Sequence, residues 1–267
     1  MDLSDFTLPG GLWADGQIYR QGRFTSVTGY LEEFVATSSL KLSSIPEWVT
    51  TVLFEAVESI GSRKWTWDDF HKLCVADRQY LMIQLGRKFG SEIIWYKAEC
   101  FSCKENFEVR LEKSEWPCSQ AGPGFPFTNY IVGDQELRLR LPNGADQESI
   151  ENMDGEDAWW KLLYSCIDVE DKPKLSFEQA KEIEKVLEEL SPQLALEMQT
   201  SCPNCQKKNM VPLDPYAFGV DSLKPLFVEV HALALAYNWT EKEILALPRK
   251  RRRMYIKLID QTRGMVS

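Results

Sequence analysis

Apolar residues recur at helical spacing through much of this chain, and at a few places that period gives way to strict alternation. Val49, Leu53, Ala56 and Ile60 share one helical face, so a helix is predicted from a cap at Ser44, with Pro46 in its first turn and Gly61 as its stop. Val75 to Phe89 reads as another helix, closed by Gly90, and Thr28 to Val35 as a shorter one. Ahead of these, Leu8-Pro9-Gly10-Gly11 and Asp15-Gly16 read as a turn-rich arm. The N-terminal part is therefore expected to be a helical layer.

The period then changes. Ile93 and Trp95 lead into Cys100-Phe-Ser-Cys103, and Phe107, Val109 and Leu111 alternate with Glu108, Arg110 and Glu112 on the way out. Such alternation marks a half-buried strand, which places the cysteine pair at the tip of a β-hairpin. Leu194, Leu196 and Met198 alternate in the same way before Cys202-Pro-Asn-Cys205, and Met210 to Leu213 runs out of it.

Each C-x-x-C presents two thiolates on one tight turn, and two such turns supply a closed tetrahedral shell for structural Zn²⁺. Cys100, Cys103, Cys202 and Cys205 are the expected ligands. Lys104, Lys207 and Lys208 follow the pairs and offset the negative charge of a four-thiolate centre. The 98 residues between the pairs far exceed the usual separation of about 15–20, so the metal would clasp distant parts of the chain. Two disulfides, or cysteines packed in a core, are the alternatives. Seven cysteines is an odd number and the N-terminus has no secretory pattern, which favours a reducing cytoplasm and the metal. Cys74, Cys118 and Cys166 lack such partners and read as buried apolar residues. His71 and His231 lie in apolar helical patterns and read as structural.

Between the pairs, Trp116 to Pro126 is loop, Leu137, Leu139 and Leu141 mark a strand, and Pro142-Asn143-Gly144 ends it. The acidic stretch from Asp146 to Asp157 fits no calcium-loop spacing and leads into a helix at Ala158 to Leu163. Ser176 with Gln179 forms a capping box for a helix through Leu187. Beyond the second pair, Ser222 is expected to cap a helix to Tyr237 whose continuous apolar character implies burial on several sides. Thr240 with Glu243 opens a short helix, and Pro248 starts the last one.

Charge divides the chain unevenly. The net charge is −9, yet the segment from Arg249 onward holds seven basic residues and one acid. Arg249, Lys250, Arg251, Arg252 and Arg253 crowd a helix N-terminus, where positive charge opposes the macrodipole. An acidic surface, the chain's own or a partner's, would compensate, and this run is the candidate partner-binding group. No aromatic platform is interleaved with it, which weakens a nucleic-acid reading. There is no phosphate-cradling loop, nucleophile elbow or H-E-x-x-H, and only two histidines, so an enzyme is not expected. No stretch approaches a membrane span.

Five stretches in order resemble the zinc-ribbon proteins encoded with contractile phage tails and related injection systems, the T-even-like baseplate or tail-assembly family. They are Leu8-Pro-Gly-Gly-Leu12 with Asp15-Gly16, Thr28-Gly29 and Glu32-Glu33; Ala76-Asp-Arg-Gln-Tyr-Leu81 up to the first cysteine pair; Leu139 to Asp146; the second pair with Asp214-Pro215; and Val230 through Pro248 to Arg252. The resemblance implies a non-enzymatic assembly factor or structural component that binds tail tube, hub, baseplate or tape-measure proteins, cytoplasmic or built into the particle. A nucleic-acid-binding zinc-ribbon regulator is the alternative. Gln206 stands where a ribbon turn often has glycine, which strains the backbone if φ is positive there. The expected fold is α+β: mostly helical layers around a split four-cysteine zinc ribbon built from two hairpins. The expected divisions are an arm and helical region at 1–91, a split ribbon at 92–215 with an insert at about 114–193, and a helical region with the basic last helix at 216–267.

Overall fold

The computed structural model describes residues 5–42, 44–61, 65–89, 93–216 and 224–264. The predicted helix stop at Gly90 and cap at Ser222 lie outside the described residues. The fold is α+β, with small antiparallel hairpins and a cysteine cluster.

The N-terminal arm is a hairpin, not a loop. Asp15 and Gly16 both take positive φ, 51° and 75°, the two-residue turn that matches strand twist. It joins β1 (Asp5–Ala14) to β2 (Gln17–Phe24). A third strand, β3 (Val57–Ile60), pairs with β2, so the helix expected to reach Gly61 ends at Ala56. Apolar spacing misled here because Val57 and Ile60 are buried in either geometry. Around this sheet pack α1 (Gly29–Lys41), α2 (Ile45–Ala56), the short α3 (Trp67–His71) and α4 (Val75–Lys88). Thr28 and Ser44 cap α1 and α2 as their side chains accept from Leu31 and Glu47 amides. The resulting core includes Leu8, Leu12, Phe24, Val52, Leu53, Phe70, Leu81 and Met82.

Next come β4 (Ile93–Glu99) and β5 (Asn106–Glu112), paired without a register break. After a single 3₁₀ turn at Lys113–Glu115 and the loop, β6 (Phe127–Val132) pairs with β7 (Gln135–Arg140). The acidic stretch overlaps α5 (Gly144–Ile150), capped by Asn143, and the start of α6 (Gly155–Ser165); α7 (Phe177–Leu190) carries the expected Ser176–Gln179 box. A second core forms here from Leu137, Leu139, Leu163, Ile167, Ile183 and Leu187.

The hairpin of β8 (Glu197–Ser201) and β9 (Lys208–Pro212) carries the second cysteine pair. Leu194 lies before it and forms an isolated bridge to Cys118. Three helices follow: α8 (Lys224–Tyr237), α9 (Glu241–Ala246) and α10 (Arg249–Gly264). The expected burial of α8 on several sides does not hold. Leu226, Val230 and Leu233 are buried, whereas Phe227, Val228 and Leu235 are exposed. Helices α1, α9 and α10 pack against α8 on one side.

Candidate metal centre and the contacts that hold it

Two hairpins meet tip to tip, and each tip is built the same way. The Cys100 amide donates to Glu105 O, and the Lys104 amide donates to Cys100 O. In the second tip the Cys202 amide donates to Lys207 O, and the Gln206 amide donates to Cys202 O. The residue after each pair takes left-handed backbone, φ 62° at Lys104 and 59° at Gln206. Gln206 therefore sits in the region that favours glycine, and the knuckle tolerates the modest strain.

The four sulfurs of Cys100, Cys103, Cys202 and Cys205 lie within 4.8 Å of one another. Across the hairpins, Sγ of Cys100 is 3.6 Å from that of Cys205, and Cys103 is 3.7 Å from Cys202. A disulfide requires about 2.05 Å, and all seven cysteines are free. Four sulfurs at tetrahedral corners, each about 2.3 Å from one ion, stand about 3.8 Å apart. The donor set thus fits a metal ion. Ionisation points the same way. Amides of Cys103 and then Ser102 help pull Cys100 down to about 6. The Lys207 amide favours the Cys205 thiolate, yet burial and the neighbouring sulfurs push that thiol up to about 11. A cation between the Cys100 and Cys205 sulfurs would favour both thiolates.

Asn209 is a supporting residue that no motif disclosed. It is buried, its Oδ1 accepts from the Phe101 amide at 3.0 Å, and its Nδ2 reaches Cys100 Sγ at 3.6 Å and Lys207 O at 2.8 Å. One side chain from β9 thereby orients both knuckles. Asn204 Nδ2 approaches Cys103 Sγ at 3.7 Å. Beneath the cysteines lie Phe107, Val109 and Val211, and below them Leu111, Trp116 and Leu213 pack on Ile83 of α4.

Below that contact, α4 anchors β1. The β1–β2 register breaks between Thr7 and Leu12, which releases the Gly10 and Gly11 amides from the ladder. Both donate to the buried Asp77 carboxylate, at 2.9 and 2.8 Å. A Cβ on Gly10 would stand 2.6 Å from Asp77 Oδ2, so only glycine admits this approach. The adjacent Arg78 is fully buried and donates to Thr50 Oγ1, Phe70 O and Pro46 O. Its head group lies against Gly144, where a Cβ would meet Nη1 at 2.3 Å, and burial lowers its pKa to about 10. Arg140 grips Asp146 with two bonds of 2.6 and 2.8 Å. The separate sequence stretches around Gly10, Asp77 and Gly144 are thus the parts of one buried junction.

Burial raises the Asp77 carboxyl, against the Gly10 and Gly11 amides that favour the anion. A folded pKa above the unfolded one gives stability that is complete below about 3.9 and declines as pH rises through the folded value. Asp77→Asn leaves one of two buried amides unpaired and should cost about 1–3 kcal/mol. The gap between wild type and this variant should narrow as pH rises through that window, measured by urea unfolding at stepped pH. A gap independent of pH would reject this account of Asp77.

A second junction binds the C-terminal helices to α1. Thr28 bridges Pro248, and the Arg249 amide donates to Val27 O at 2.8 Å. Arg252 is completely buried: its guanidinium pairs with Glu32, reaches Glu229 Oε2 at 3.0 Å and donates to Leu247 O at 2.8 Å. Arg249 lies 3.4 Å from Glu32, and Arg253 3.6 Å from Glu229. The five residues of the candidate partner-binding run are placed differently. Arg252 belongs to the interior, Arg249 is half-buried, and Lys250, Arg251 and Arg253 are exposed. Glu32 and Glu229 of the chain itself offset the charge at the start of α10.

A family model for the T4 bacteriophage base plate protein matches residues 22–217. The chain belongs to that family. No curated protein and no solved structure matches it. The baseplate-family match contains both cysteine pairs and ends before α8, so the four-cysteine cluster lies within the family's span and α10 beyond it. Among the described residues, the four cysteines are the one cluster of possible metal ligands. Cys74 and Cys166 are buried as expected, but Cys118 is exposed. His71 meets Trp67 edge-on and lies 3.0 Å from Glu148, while His231 is exposed, contrary to its apolar surroundings in sequence. No described helix is long and apolar enough to cross a membrane.

Proposed function

We propose that this baseplate-family chain is a non-catalytic structural or assembly component of a contractile tail, with a structural Zn²⁺ held by Cys100, Cys103, Cys202 and Cys205. The observation that carries the proposal is the four-sulfur cluster within the span of the family match. A closed four-thiolate shell leaves no open position for a substrate, and its N–H···S neighbours suit a structural ion. The ion's role is to join two hairpins that are distant in sequence and so to close the region 92–215 around its insert. Zinc bound there supplies folding free energy; the protein residues position each sulfur and exclude water.

The chain's partners are tail proteins: tube, hub, baseplate or tape-measure components. Lys250, Arg251 and Arg253 supply the docking charge, because they alone of the five-residue run are exposed. Arg251→Glu with Lys250→Glu should lower capture of tail proteins in a nuclease-treated pull-down from the infected host, with zinc content and circular dichroism unchanged. Unchanged capture would remove this run from the docking surface. Material retained on the wild type but lost with nuclease would favour the nucleic-acid regulator instead.

A further inference from the structure

A cavity of about 240 Å³ opens between α6 and α7. Leu141, Leu163 and Leu187, all buried, and the half-buried Trp159 give it an apolar lining; Glu184 and Glu188 complete it. Those two carboxylates stand one helical turn apart on α7. Glu184 is held in place by the Trp159 indole N–H at 2.7 Å and by Lys181, and these contacts, Lys181 first, keep its carboxyl below the usual range. From Asp154 to Leu190 the chain carries eleven acids and five bases. An apolar socket within an acidic surface accepts an apolar side chain flanked by cations.

The exposed face of α10 has that chemistry. Met254 and Leu258, 60% and 51% exposed, lie one turn apart, and helical stepping places Lys250 and Lys257 on one flank and Arg251 on the other. The opposite side of α10 is occupied by its own α8 and by Glu32 of α1. Its apolar and basic residues therefore point away from the molecule that carries them.

We infer that α10 of one copy seats in the α6–α7 groove of a second copy, with Met254 and Leu258 entering the cavity and the flanking cations meeting Glu188. The inference rests on the reading of the exposed α10 cations as docking groups, and names the acidic surface they meet. The two surfaces differ, so the contact is head-to-tail and builds a ring or an open row. Such self-association would let a zinc-clasped component repeat within a baseplate.

Sedimentation velocity of the full zinc-loaded chain tests it. The wild type should exceed 30.8 kDa with rising concentration in the micromolar range. Met254→Glu and, separately, Glu188→Lys should each weaken association about tenfold or more, with circular dichroism and metal content preserved. Each variant retains the surface the other lacks, so mixing them should restore a dimer that grows no further. A wild type that stays at 30.8 kDa throughout, or variants that associate as it does, would overturn the inference. Either result would exclude this self-association even if the same cations capture another tail protein.

Discussion

Chelation of the metal, or Cys202→Ser, is expected to unfold the pair of hairpins β4–β5 and β8–β9 while α7 keeps its structure. The buried material between these hairpins is small: Phe107, Val109, Leu111, Val211, Leu213 and the cysteines themselves. A core of that size does not offset the ordering of four strands without a cross-link. Structural zinc supplies about 10–16 kcal/mol of apparent free energy at neutral pH, comparable to a whole domain's usual margin of about 5–15 kcal/mol. The inserted segment differs, since Leu137, Leu139, Ile183, Leu187 and Leu190 form a core of their own. Hydrogen exchange read by mass spectrometry should therefore show lost protection in 93–112 and 197–212 and retained protection in 177–190. Elemental analysis should give one zinc per wild-type chain and a deficit in the variant. Full protection of both hairpins in metal-free protein would remove the clasp from the account.

What the sequence disclosed and what it hid divide along physical lines. The cysteine pairs, their hairpins and the capping boxes at Ser176 and Thr240 were legible because each depends on a spacing of three residues or fewer, or on alternation within one strand. The arm was misread because Leu8-Pro9-Gly10-Gly11 carries turn chemistry for a different purpose. Its glycines serve a register break whose amides are taken by Asp77, 66 and 67 positions away. No local pattern announces that demand. β3 was hidden for a similar reason: Val57 and Ile60 continue the apolar spacing of α2, and only pairing with β2 distinguishes strand from helix. β6 escaped because its partial burial weakens the alternation. Asn209, Arg78 and Arg252 could not be assigned either, since a polar residue's burial depends on partners supplied from elsewhere in the chain.

Within the basic run, Arg252 and Arg251 should respond oppositely to substitution although they are neighbours. Arg252→Ala is expected to destabilise the fold by about 3–5 kcal/mol, because it leaves Glu32 in the interior without its principal counter-charge. Glu32 is buried and Glu229 half-buried, and Arg252 also satisfies the Leu247 carbonyl. Arg249 lies 3.4 Å from Glu32 and offsets part of the loss, which sets the effect at the low end of that range. Arg252→Glu should be worse, placing a third carboxylate among two. Arg251 is exposed on the other face, where substitutions usually change stability by less than about 0.5 kcal/mol. The contrast separates interior pairing from docking: thermal and urea unfolding should distinguish the two variants, while partner capture should fall for Arg251→Glu without a change in stability. A double variant, Glu32→Gln with Arg252→Met, removes both buried charges and should recover much of the loss, since an apolar replacement avoids the desolvation that the pair must overcome. Equal, small effects at Arg251 and Arg252 would mean that α10 does not depend on Glu32 for its position. In that case the junction between α1 and the C-terminal helices would rest on the packing of Leu245 against Gly29 and on the Thr28–Pro248 bridge.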